Sequence, residues 1–132
     1  MNITVKTKDR TFSLVPSVEL YLVRDSIGRT WPGLAIELHD AAENEPFGVL
    51  TVSFGEFISL KNAAYIDSNN MPPEVLSACL AAGIAKETPL TKSASFGRSY
   101  PLWIFDECFL RNVGGDNYVS YERGYWNCMK SI

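Results

Sequence analysis

Residues 33–59, GLAIELHDAAENEPFGVLTVSFGEFIS, constrain this chain more than any other stretch. Leu34, Ile36 and Leu38 alternate with Ala35, Glu37 and His39, and Leu50, Val52 and Phe54 alternate with Thr51, Ser53 and Gly55. A repeat of two places each apolar set on one face of a strand, so the stretch reads as two strands facing each other across a polar loop. A lone hairpin is marginal in water, and its apolar face requires further strands or a helix against it.

The rest of the chain offers both. Ile3 and Val5 oppose Thr4 and Lys6, and Phe12 and Leu14 carry the alternation past a Lys8-Asp9-Arg10 turn, giving an opening hairpin. Pro16 lacks a backbone donor and is expected to end that strand or mark an edge. VELYLVR, from Val18, resumes the strand pattern, and residues 25–33 connect it to the central hairpin. Trp31 in that connection either folds back as a lid on the core or meets a partner. A short strand is expected at Ala63, Ala64, Tyr65 and Ile66.

A helix follows over residues 71–83. Asn70 is the expected N-cap, Pro72 and Pro73 suit a first turn, Glu74 sits at the positive end of the dipole, and Gly83 closes the helix with Ile84 packed beyond it. Val75, Leu76, Cys79 and Leu80 form its apolar stripe, which buries Cys79 as an inert hydrophobe. Residues 87–99 read as loop, and YPLWIF, from Tyr100, as an apolar strand that Pro101 pushes to an edge or begins. Around Gly114, Gly115, Asp116 and Asn117, the pieces FLRNV and YVSYERGYW are expected to form a last hairpin. The predicted fold is a single α+β domain over residues 1–132, an antiparallel, hairpin-rich sheet packed on one main helix.

Composition narrows the setting. A chain of 132 residues with 46% hydrophobic and 20% charged residues is globular, with enough length for one core. A net charge of -3 argues against a protein that lives on phosphate backbones, so direct nucleic-acid binding is not expected. Lys6, Lys8 and Arg10 read as a solvated hairpin tip. Cys79, Cys108 and Cys128 are an odd number without a CxxC pair, which fits reduced thiols in a cytoplasm. The N-terminus lacks the apolar run of a secretory signal, and no stretch approaches the ~20 apolar residues of a membrane span.

Catalytic signatures are sparse. His39 and Glu37 share a strand face and are the nearest approach to an acid-base pair, but nothing supplies a nucleophile. Asp40, Glu43 and Glu45 read as a solvated loop rather than a calcium loop, and neither GxxxxGK nor GxGxxG occurs. SFGRS, from Ser95, is loop and not a nucleophile elbow. No cofactor, metal or catalytic residue is expected. The suggestive feature is aromatic: Tyr118, Tyr121, Tyr125 and Trp126 interleave with Glu122 and Arg123, residue types enriched at binding hot spots. On a strand, Tyr118 and Tyr121 point to opposite faces, so part of the set is core. Tyr121, Glu122, Tyr125, Trp126 and Trp31 are the candidate partner-binding residues.

The runs GLAIELHD, EPFGVLTVSF, NAAYIDSNNMPPEVLSACLAAGIAKET and YPLWIF, within residues 33–109, resemble a small family of bacterial domain-of-unknown-function proteins carried on phages and conjugative elements. The departures are the tail after Phe109 and a longer connection at residues 25–33. The resemblance implies an α+β domain in a mobile-element setting and carries no catalytic residues. It ranks first a non-enzymatic accessory protein that binds and inhibits a host protein, such as a CRISPR or other defence subunit. A nucleic-acid-binding or regulatory domain comes second and a small enzyme third. An unpaired edge strand would also allow a homodimer.

Overall fold

A computed structural model describes residues 1–24 and 26–130. Among these the chain forms two antiparallel four-stranded sheets and three helices, an α+β fold. The first sheet runs in order through β1 (Ile3–Lys6), β2 (Thr11–Arg24), β3 (Thr30–Asp40) and β4 (Glu45–Val49). The second contains β5 (Thr51–Val52), β6 (Ala63–Ile66), β7 (Ala85–Ser93) and β8 (Ser99–Phe105), ordered β5-β6-β8-β7. The helices are α1 (Pro73–Ala81), α2 (Glu107–Gly114) and α3 (Asp116–Lys130).

The central hairpin forms, with Leu34, Ile36 and Leu38 buried and Glu37 opposite Val49. Its second strand does not continue as one piece. At the buried Leu50 the chain changes sheets: the Leu50 N–H donates to the Ile36 carbonyl at 2.8 Å, and the Leu50 carbonyl accepts from the Asp67 N–H at 2.9 Å. The Thr51 hydroxyl accepts from the Ile36 N–H at 3.1 Å. Residues 50–51 thus stitch the two sheets together, and the alternation spanning them belongs to a corner.

Pro16 does not end β2 but does mark an edge, the other expected outcome: it is buried mid-strand opposite Leu38, beyond the reach of β1, which pairs only with residues 11–14. Residues 30–33 of the expected connection belong to β3, and its first residue, Asp25, lies outside the described residues. Residues 85–93, expected largely as loop, form edge strand β7, which is mostly exposed and so lacks an apolar alternation. Strand β8 is interior, between β6 and β7. Pro101 is accommodated there because β6 pairing stops at Leu102 and β7 bulges between Glu87 and Thr91.

The helix expected over residues 71–83 is α1. Asn70 does not cap it; its amide binds the Asp67 carboxylate at 3.0 Å, and Pro72 occupies the cap position. Gly83 ends the helix as expected at φ +76, with its N–H on the Leu80 carbonyl and that of Ile84 on the Cys79 carbonyl, the paired bonds of a Schellman motif.

The C-terminal hairpin is the largest correction: both of its expected strands are helical. The Asp106 carboxylate caps α2 by accepting from the Phe109 N–H at 2.9 Å. Tyr118, Tyr121 and Tyr125 then repeat at three and four residues along α3 and are all buried. Gly114 and Gly115 form a helix junction rather than a strand turn. A Cβ on Gly114 would sit 3.2 Å from that of Val18, so the glycine lets α2 end close against β2. One hydrophobic cluster draws on both sheets and all three helices.

Candidate functional site

The buried stripe of α3 holds the segment between β5 and β6. The Tyr118 hydroxyl donates to Asn62 Oδ1 at 2.8 Å, the Tyr121 hydroxyl accepts from the Asn62 N–H at 2.9 Å, and the Tyr125 hydroxyl donates to the Ser59 carbonyl. Asn62 is buried and left-handed, at φ +66. Burial pushes the Tyr118 and Tyr121 hydroxyls above their ordinary pKa. Tyr121 and Tyr125, expected at a partner surface, are therefore core residues whose polar tips fix a loop. Read with a helical period, all three tyrosines share one face, which a strand period forbids.

Trp126 points the other way. It is 48% exposed, packs edge-on against Tyr125 at 5.2 Å, and lies with its ring centroid 5.4 Å from Lys61 Nζ. Beside it, Glu122 accepts from Lys61 at 2.6 Å and from Arg111 at 3.0 Å, while Glu107 reaches the same two cations at 3.4 Å. The Lys61 hydrogen bond holds the Glu122 carboxyl below the usual carboxylate range, and Glu122 in turn raises the Lys61 ammonium. This charge cluster forms one border of the indole.

Trp31 reaches the same region through a relay of rings. It lies 5.9 Å from Phe57, which lies 5.8 Å from Tyr125, itself in contact with Trp126. Trp31 also lines an open cleft of about 620 Å³ with Gly28, Arg29, Thr30, Phe57, Asn127 and Cys128. Its indole N–H is buried without a hydrogen-bond partner among the described residues, a costly state for a donor. Trp31 is thus linked to Trp126 through Phe57 and Tyr125, and Glu122, at the middle of α3, is linked to Trp126 through Lys61. Sequence reasoning missed Phe57, Lys61, Glu107 and Arg111. Lys61 and Glu107 are 46 positions apart, and no local periodicity links them.

The other candidates do not converge on this region. His39 lies opposite Val15 and Pro46, and Glu37 opposite Ser17 and Val49, with no ion pair between them among the described residues. Arg10 lies 4.3 Å over the Phe12 ring, and the Thr7 hydroxyl closes the basic hairpin tip by bonding to Arg10 backbone atoms. Among the described residues no group of three or more His, Cys, Asp or Glu side chains is arranged to hold a metal ion, and no helix is long and apolar enough to cross a membrane. Compared with protein-family models, with curated proteins and with solved structures, the chain finds no match in any of the three.

Proposed function

We propose that this protein is a non-enzymatic binding module whose outward α3 surface, centred on Trp126, docks on another protein in the cytoplasm. The supporting observation is the state of that indole. Trp126 leaves 48% of its surface in water, yet is held between Tyr125 and Lys61, the latter paired with Glu122, which Arg111 holds in turn. An aromatic anchor already fixed in place loses little conformational freedom on binding, and Trp and Arg are the side chains most enriched among interface hot spots.

The resemblance of residues 33–109 to a family carried on phages and conjugative elements supplies the direction. In that setting, the role is to cover and inhibit a host protein, in its sharpest form a CRISPR effector or another defence subunit. The test is phage plating on a host with an active defence system, with and without the protein, followed by capture of the defence complex on tagged protein. Relief of defence and stoichiometric capture, both lost in Trp126→Ala, are the expected results. A protein that relieves no defence and captures no host protein, or retains only nucleic acid, overturns the reading.

A further inference from the structure

The first sheet leaves part of one strand edge open, and hydrogen bonds elsewhere reveal which backbone groups lie along it. Val18 and Ile36 are paired across β2 and β3. The Val18 carbonyl nevertheless accepts from Asn117 Nδ2 at 3.0 Å, while the Ile36 N–H and carbonyl bond to Thr51 and Leu50. Both residues thus direct their backbone groups away from each other, the widely spaced type of antiparallel pair. Because the pattern repeats every two residues, Pro16, Leu20, Leu22 and Arg24 also present their backbone groups to the side away from β3. This explains Pro16: its missing donor falls on the outer side, and the β2–β3 ladder loses nothing.

Beyond Val18 that outer side carries no strand among the described residues: β1 pairs only with residues 11–14, Asn117 occupies the Val18 carbonyl, and Leu20, Leu22 and Arg24 have no described strand opposite them on that side. Leu22 is 70% exposed. The other edges carry features that discourage pairing. β7 contains Pro89 and a bulge, β4 contains Pro46 opposite a register shift, β5 is two residues long, and the four-residue β1 packs against α1. The distal half of β2 has no such protection and presents an apolar side chain at its middle.

We infer that this edge is a homodimer interface, in which residues 20–24 of β2 pair antiparallel with the same residues of a second copy about a two-fold axis at Leu22. The register follows from the outward groups: Leu22 faces Leu22 and Leu20 faces Arg24, each in a hydrogen-bonded pair, while Tyr21 faces Val23 between them. A register one pair closer to the strand's start would place Val18, whose carbonyl is already taken, in the new ladder. A two-fold pairing uses one surface twice, so a second copy is the occupant whose strand matches this edge by construction.

The measurement is the solution mass of the full chain by sedimentation across a concentration series, expected to rise from 14.7 kDa toward twice that value. Leu22→Pro removes an outward N–H while leaving the β3 ladder intact, as Pro16 does, and is expected to weaken dimerisation roughly tenfold or more. Should Leu22→Pro fold poorly by circular dichroism, the charge pair decides. Leu22→Lys and Leu22→Glu are each expected to be monomeric, and their equimolar mixture to recover a dimer, because residue 22 meets itself only across such an axis. Wild type that stays monomeric to millimolar concentration, or a dimer that both charged variants retain, overturns the inference. Trp126→Ala is expected to keep the dimer, which separates this edge from the binding surface on α3.

Discussion

The hydroxyl of Tyr121 and the backbone N–H of Asn62 meet at 2.9 Å inside the core, 59 positions apart in the chain. Asn62 does not turn its N–H elsewhere, because its backbone is left-handed and its carbonyl is held by the Phe105 N–H at 2.8 Å. Tyr121→Phe is therefore expected to leave a buried donor without an acceptor and to destabilise the fold by about 1–3 kcal/mol. Tyr118→Phe should cost less, since a side-chain amide can reorient. Urea unfolding of the two variants beside wild type checks the order, and a Tyr121→Phe midpoint equal to wild type would contradict it.

Gly33 and Tyr21 provide a steric prediction. They are cross-strand partners on β2 and β3, and a Cβ on Gly33 would lie 2.5 Å from the Tyr21 ring. Gly33→Ala must displace the far end of that half-buried ring and is expected to cost about 0.5–1.5 kcal/mol, the scale of a side chain pushed off its rotamer. If the ring is the obstacle, the cost falls when Tyr21 is already Ala. A double-mutant cycle by thermal or chemical denaturation measures the coupling, and additive effects would show that the ring is not the cause.

These two contacts also mark where the sequence is legible. Strand alternation at Leu34, Ile36 and Leu38 survives folding because one face is buried along its length, and Gly83 ends a helix because its position needs a left-handed residue. The C-terminal region misleads because aromatic, β-branched and glycine residues suggest strands, while the tertiary context rewards the three- and four-residue spacing of Tyr118, Tyr121 and Tyr125. Strand β7 escapes notice because an exposed edge needs no apolar pattern. Trp126 and Glu122 were readable as candidates by residue type. Lys61, Arg111 and Phe57 were not, since only the packing of α3 on the loop before β6 brings them there.

Cysteine reactivity should divide by depth. Cys79 is fully buried under α1, and desolvation pushes its thiol up to about 11, whereas Cys108 is exposed and Cys128 half-buried. The thiolate is the reacting form, so at pH 8 only about one Cys79 in a thousand would be ionised even before access is considered. With an aromatic disulfide reagent, Cys108 is expected to react first and Cys128 more slowly. Cys79 should be titrated only when the protein unfolds. Three equally fast thiols in the native protein would contradict the packing of α1.

The charge cluster beside Trp126 makes a prediction about acid. The Lys61 hydrogen bond, reinforced by Arg111, lowers the Glu122 carboxyl in the folded protein, so the folded state binds its proton less readily than the unfolded chain. That contribution to stability is fully present above the unfolded glutamate value of about 4.3 and is lost as pH falls through the lower folded value. Lys61 has the opposite sign: its raised ammonium stabilises below the ordinary lysine value and loses that contribution as pH rises through the folded one. Between these limits the pair gives no pH dependence. Both side chains keep 23% of their surface in solvent, so the effect is modest, about 1 kcal/mol or less, and salt should weaken it. Urea midpoints of wild type and Glu122→Gln are expected to differ at pH 7, converge toward pH 2.5, and differ less in 1 M salt. A gap that persists undiminished in acid would mean that Glu122 acts through packing, and that Trp126 is held in place without the ion pair.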